Sequence, residues 1–143
     1  MVRSSYRFLP NVALADVAFK AAAPSSGTLF DVCAGALTDV MVDRRSLRMG
    51  VKREISLKAE AIDGLLYDFL TELIVVKDVD SLLFKKFETR VSRDGKSLVC
   101  QLGGEPIDRE RHKLRLDVKA VTMHMFSVAR EKGRWSATVV LDI

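Results

Sequence analysis

Asp142 stands at the end of an apolar run, Val139-Val140-Leu141, with Ile143 after it. A carboxylate there is costly unless it is paired or holds a cation. A chain that stops at Ile143 also places a terminal carboxylate beside it, and carboxylate oxygens are hard donors that suit Ca²⁺, Mg²⁺ or Mn²⁺. Lys119 interrupts the apolar pattern Val118-Lys119-Ala120-Val121. Its ammonium is placed to meet a phosphate or a partner's carboxylate, or to snorkel from an edge strand. Glu105, Asp108 and His112 fall in Gly103 to Asp117, a polar segment that reads as irregular, where binding residues concentrate. Each of the three also reads as a local turn or capping residue. His112 and His124 lie on different predicted elements with no Cys or third His beside them, so isolated histidines are the simpler reading.

Other chemistry is excluded by what is missing. The chain has no P-loop, no GxSxG, no HExxH and no Cys–His pair in a nucleophile setting. Gly103-Gly104 is too short to cradle a phosphate. Cys33 and Cys100 sit in apolar runs without a CxxC, as buried free thiols do. Lys and Arg number 23 against 19 Asp and Glu, for a net charge of +4. That mild excess permits RNA or an acidic partner without requiring either. Its clusters, at Arg44-Arg45, Arg48 to Arg53 and Arg109 to Arg115, are interleaved with apolar or acidic residues and read as solvated faces. No signal peptide or membrane-length apolar run is present, so the cytoplasm is the expected compartment.

The elements that must position these residues follow from periodicity. Arg3 to Leu9 and Ala15 to Phe19 read as short strands around Pro10-Asn11. A helix is expected from Thr28 to Val42, capped by Ser26 or Thr28, and a second from Ala61 to Val76. Val51 to Ala59 alternates as a half-buried strand. Phe84 to Arg93 and Lys96 to Leu102 read as a hairpin around Asp94-Gly95. Lys119 to Val128 and Arg134 to Ile143 read as another, around Lys132-Gly133. At 143 residues the chain is expected to be one domain, 1–143. Its fold class is α+β, a two-layer-type sandwich with two helices packed on mostly antiparallel sheet.

Several segments together carry a resemblance. Gly104-Glu105-Pro106-Ile107-Asp108-Arg109-Glu110-Arg111-His112, followed by Val118-Lys119-Ala120-Val121-Thr122-Met123-His124, is similar to the archease pattern G-E-x-x-D-x-x-x-H and V-K-A-[VI]-T-x-H. Leu65 to Ile74 resembles that family's L-L-x-x-W-L-x-E-L-[LI] helix, and Val139 to Ile143 its terminal V-x-F-D-[VI]. The resemblance implies a protein that is not itself an enzyme. Archeases assist the RtcB-type tRNA-splicing RNA ligase, which joins RNA ends using manganese and GTP. A member is expected to promote guanylylation of the ligase and its multiple turnover, and to meet tRNA indirectly through it.

The resemblance also implies a metal site built from Asp16, Asp142 and the terminal carboxylate of Ile143, most simply for calcium, with magnesium or manganese as alternatives. Asp16 closes the family's H-T-A-D motif, which reads Ala13-Leu14-Ala15-Asp16 here. Glu72 matches the acid of the family's helix. Lys119, Glu72, Glu105, Asp108 and His112 are the expected partner-binding or activating residues. Phe69 and Met123 stand where the family often has aromatics, and both fit core roles. Two rival readings remain: an RNA-binding or chaperone-like adaptor, and a metal-dependent hydrolase using Asp16, Asp142 and His124.

Overall fold

The computed structural model describes residues 4–10 and 16–143. In chain order its elements are β1 (Ser5–Leu9), β2 (Asp16–Ala23), α1 (Ser26–Met41), a 3₁₀ turn (Arg44–Ser46), β3 (Val51–Lys58), α2 (Ile62–Asp80), β4 (Leu82–Val91), β5 (Ser97–Pro106), β6 (Ala120–Val121), β7 (Ser127–Glu131) and β8 (Arg134–Asp142). The strands form two sheets. One has the order β1-β2-β8-β6, with β7 also paired to β8; the other has the order β3-β5-β4. Every described strand pair is antiparallel. The expected α+β class holds, with helices packed on antiparallel sheet.

The helices lie between the sheets because each has an apolar stripe that neither sheet leaves in water. α1 packs against β2, β8, β4 and α2, while α2 packs against β3, β4, β5, β6 and β7. Phe30 of α1 stacks on Phe69 of α2 with ring centroids 5.8 Å apart, and both side chains are fully buried. From β2 and β8, Phe19, Ala21, Val139 and Leu141 close the core from one side, and Leu83, Phe84, Cys100 and Leu102 from the other. Each large side chain so buried contributes about 1.5–3 kcal/mol. Among the described residues no helix is long and apolar enough to cross a membrane.

Several expected boundaries move, each for a local reason. The cap of α1 is Ser25, whose hydroxyl accepts the Thr28 amide at 3.2 Å, rather than Ser26 or Thr28. α2 continues past Val76 to Asp80, because Lys77 extends its buried face, and it ends at Ser81 in the left-handed region, φ 55°. β5 runs through Gly103-Gly104 to Pro106, inside the segment expected to be irregular. Gly104 is required there. A β-carbon at that position would lie 2.0 Å from the Leu83 carbonyl oxygen, beside the bulge between Phe84 and Lys86 of β4. The expected strand Lys119 to Val128 is broken into β6 and β7 by residues 122–126, where Met125 takes φ 56°. Met123 is 70% exposed and is not a core residue. The Lys132-Gly133 turn is as expected, with both residues at positive φ, as a tight hairpin needs. The turn expected at Pro10-Asn11 lies partly outside the described residues.

Candidate functional site

β2 and β8 pair over eight residues in a register that sets Asp16 directly opposite Asp142. Residues opposed in this way share a face, with β-carbons about 5 Å apart. Both carboxylates are half-buried, and so is Ile143, the next residue. On the far side of β8, Ala120 of β6 is also opposite Asp142. The Lys119 amide donates to the Asp142 carbonyl at 2.8 Å, and the Thr122 amide to the Val140 carbonyl at 2.9 Å. The end of β8 is therefore held on both sides, and Asp142 is presented by backbone rather than by a loop.

Like charges directly opposed across a ladder destabilise it, and neither Asp16 nor Asp142 has an ion-pair partner among the described residues. Such a pair suits a small hard cation. Among the described residues no three side chains of His, Cys, Asp or Glu converge as a metal set. Ala13, Leu14 and Ala15 lie outside the described residues.

Lys119 is exposed next to this end of the sheet, and His124 is exposed in the loop after β6. The segment that carries Lys119 is fastened by Lys77, which sequence reasoning missed. Its Nζ donates to the buried carbonyl of Val118 at 2.8 Å, to the Asp117 carboxylate, and to Asp78 at 2.9 Å. Burial alone would push the Lys77 pKa down, but the hydrogen bonds and charges of Asp117 and Asp78 prevail and raise it above its ordinary value. The Tyr67 hydroxyl, also from α2, donates to the Val121 carbonyl at 3.1 Å. A signal for Lys77 was present: it continues the stripe of Leu66, Leu70 and Leu73, where an apolar residue would be expected.

Glu105, Asp108 and His112 meet one another, away from the opposed carboxylates in sequence and on the other sheet. Glu105 is buried near the end of β5. It accepts from His112 Nε2, from Arg111 at 2.6 Å, and from the Arg48 amide at 3.0 Å. The Asp108 amide donates to His112 Nδ1 at 2.9 Å, which leaves the ring proton on Nε2. Burial pushes the Glu105 carboxyl up, but the Arg111, His112 and Arg48 hydrogen bonds outweigh it and hold it at about 2. This cluster shapes the 107–112 loop. Only Asp108 of the three presents an exposed residue, and its carboxylate accepts the Glu110 amide at 3.0 Å. Glu72 is half-buried on α2.

The comparisons with known proteins run the length of these features. The model of the Archease protein family matches residues 6–143. A protein archease of Pyrococcus abyssi is 34% identical over 132 residues, covering 90% of this chain and 93% of its own. That of Methanothermobacter thermautotrophicus is 35% identical over 131 residues, covering 90% and 93%. The solution structure of Methanobacterium thermoautotrophicum protein 1598 superposes with a TM-score of 0.82 at 31% identity, covering 96% of this chain and 98% of that one. A Thermotoga maritima structure described as an archease and possible chaperone shares the fold, with a TM-score of 0.63 at 16% identity over 94% and 96%. Residues 6–143 take in both the opposed carboxylates and the Glu105–His112 cluster, and over that whole length the chain belongs to the archease family.

Proposed function

We propose that this protein is a non-catalytic cofactor that activates an RtcB-type RNA ligase in tRNA splicing or RNA repair, by promoting guanylylation of the ligase and its multiple turnover. The observation that carries the reading is the register that opposes Asp16 and Asp142 on one sheet face next to Ile143. Two half-buried carboxylates and a chain-terminal one form a hard-oxygen set that fits calcium, or magnesium or manganese in its place. When bound, the cation supplies positive charge that relieves the repulsion between the two aspartates and stiffens the end of β8.

The chain's own residues do the rest. β6 and the Lys119 amide fix the position of Asp142. Lys119 offers an exposed ammonium to the ligase beside its nucleotide. Glu105 and His112 act through the 107–112 loop, presenting Asp108, while Glu72 offers a carboxylate from α2. Such contacts accelerate guanylylation only so far as they bind the activated state of the ligase more tightly than its resting state.

The test is guanylylation of a cognate ligase with GTP and Mn²⁺, with and without substoichiometric amounts of this protein, and with Asp16→Ala and Asp142→Ala alongside. Stimulation by the wild type that both substitutions abolish is the expected result. A cognate ligase that labels at the same rate with and without the protein refutes the activator reading. A chaperone-like adaptor is the second reading, favoured by the exposed Met123 and Met125. It predicts suppression of ligase aggregation that Asp142→Ala leaves intact.

A further inference from the structure

The same sheet face that carries Asp16 and Asp142 changes sign along its length. Arg7 of β1 is directly opposite Lys20 of β2. Both are exposed, and neither has an ion-pair partner among the described residues. Two cations directly opposed across a ladder weaken it. Edge protection explains a charge on β1, which is an outer strand. It does not explain Lys20, because β2 is paired on both sides, to β1 and to β8.

The next row on this face consists of small residues: Ser5 opposite Ala22, and Ala22 opposite Ser136 of β8. The shortness of their side chains leaves a concavity of about 580 Å³. Lys132 and Arg134, from the β7–β8 turn and the start of β8, complete its rim, and Glu131 is the single acid among its described lining residues. Asp16 is four residues along β2 from Lys20, about 13 Å away, which exceeds the screening length of about 8 Å at physiological salt.

We propose that this concavity is a binding site for the phosphate chain of a single-stranded RNA, separate from the carboxylate pair. Four cations surround a floor whose Ser5 and Ser136 hydroxyls are donors of the kind that phosphate oxygens accept. Among its described lining residues the concavity has one aromatic, Tyr6, which lies on the face of β1 opposite Arg7 together with the exposed Phe8 and is held by Asp39, while nearby Trp135 is covered by Arg130, 5.4 Å from its ring. Recognition is therefore of charge and spacing and not of sequence. The lining also lacks an exposed large apolar side chain to anchor a peptide. The opposed cations are tolerated in the free protein and relieved when phosphates arrive.

The test is fluorescence anisotropy of a labelled oligouridine of about twelve nucleotides across a salt series, with polyaspartate as the competing polyanion. Full engagement of four cations gives a slope of log K against log salt near −3, at about 0.7 per phosphate contact. Arg7→Gln with Lys20→Gln is expected to weaken binding at least about tenfold near 50 mM salt and to reduce the slope by about 1.4. Lys52→Gln with Lys58→Gln removes the same charge from exposed positions on β3 and is expected to leave affinity within about twofold. The Arg7–Lys20 variant is also expected to unfold at the same temperature as the wild type or higher, because an opposed pair has gone. Equal losses from the two double variants, the absence of salt-dependent RNA binding by the wild type, or polyaspartate binding as tightly as RNA would each overturn the proposal.

Discussion

Lys77→Met is the substitution with the most to say about how the candidate site is held. Methionine keeps the apolar stem of lysine in its buried slot and removes the ammonium. What is lost is the partner of the Val118 carbonyl, which lies on a fully buried residue. An orphaned buried acceptor costs about 1–3 kcal/mol. Asp117 and Asp78 lose a partner as well, but Asp117 has 72% of its side chain in solvent, so that loss is about 0–1 kcal/mol. Against this, Met no longer suffers the desolvation of a buried charge.

The net expectation is a destabilisation of about 1–3 kcal/mol, which at this chain length lowers Tm by about 3–9 °C. Because the Lys77 pKa is raised in the folded state, its contribution is complete below 10.5, the ordinary lysine value, and fades only as pH rises through the folded value. The deficit of the variant therefore stays constant across the neutral range. Amide exchange locates it: the Lys119 amide, donor to Asp142, should exchange faster, while amides of the β3-β5-β4 sheet keep their protection. A Lys77→Met protein that melts at or above the wild-type temperature would refute the reasoning, since desolvation would then outweigh the hydrogen bonds.

Calcium should raise the Tm of the wild type, by about 2.7 kcal/mol of stabilisation at a hundredfold excess over Kd, and leave that of Asp142→Asn unchanged, as differential scanning fluorimetry with and without chelator would read. Asp31 is pushed up to about 6, first by burial and also by the Glu88 charge, with the Thr89 hydrogen bonds acting in opposition. A raised carboxyl means that stability falls as pH rises from 3.8 toward 6. Asp31→Asn, which keeps an acceptor for the Thr89 amide, should thus be the more stable protein at pH 7, by ~1 kcal/mol after discounting for solvent screening. Glu105 has the opposite sign: its stabilisation is present above 4.5 and is lost as pH falls toward about 2. Glu105→Ala should lower Tm at pH 7 by leaving His112 and the Arg48 amide without an acceptor, and should flatten that acid limb. Neither buried thiol should react with a maleimide until the protein is unfolded, since burial raises the Cys33 pKa and pushes Cys100 up to about 11.

Local periodicity made both helices and most strands legible, because Phe30, Leu37, Leu66, Phe69 and Leu70 repeat at the spacing of a buried stripe. It failed where a local signal had a nonlocal answer. Gly103-Gly104 reads as the start of an irregular segment, but lies within β5, where Gly104 serves the close approach of β4. Lys119 to Val128 looks continuous, but Met123 and Met125 face solvent in a loop. The metal candidates were named through family resemblance. Their opposition depends on the β2–β8 register, which joins positions almost a whole chain apart and leaves no local pattern. Glu105 and His112 were visible as candidates but not as partners of each other, since their meeting requires β5 to extend to Pro106. Lys77 was hidden by its type: a cation in an apolar stripe is read as a helix ending, not as a clamp.

The central place of β8 in its sheet also makes that sheet depend on distant pairing. β2 has β1 on one side, close in sequence, but its other neighbour is β8, more than a hundred residues away. Until β8 arrives, one edge of β2 and the β6 and β7 segments have no strand to pair with, and Phe19 lacks the cover of Val139 and Leu141. Closure of this sheet joins the two ends of the chain and is the kind of distant pairing that slows folding and leaves sticky edges exposed meanwhile. The same pairing brings Asp142 to Asp16. The candidate cation site therefore exists only where β2 and β8 are joined, and an ion that binds the pair favours the closed sheet over any form in which that pairing is open.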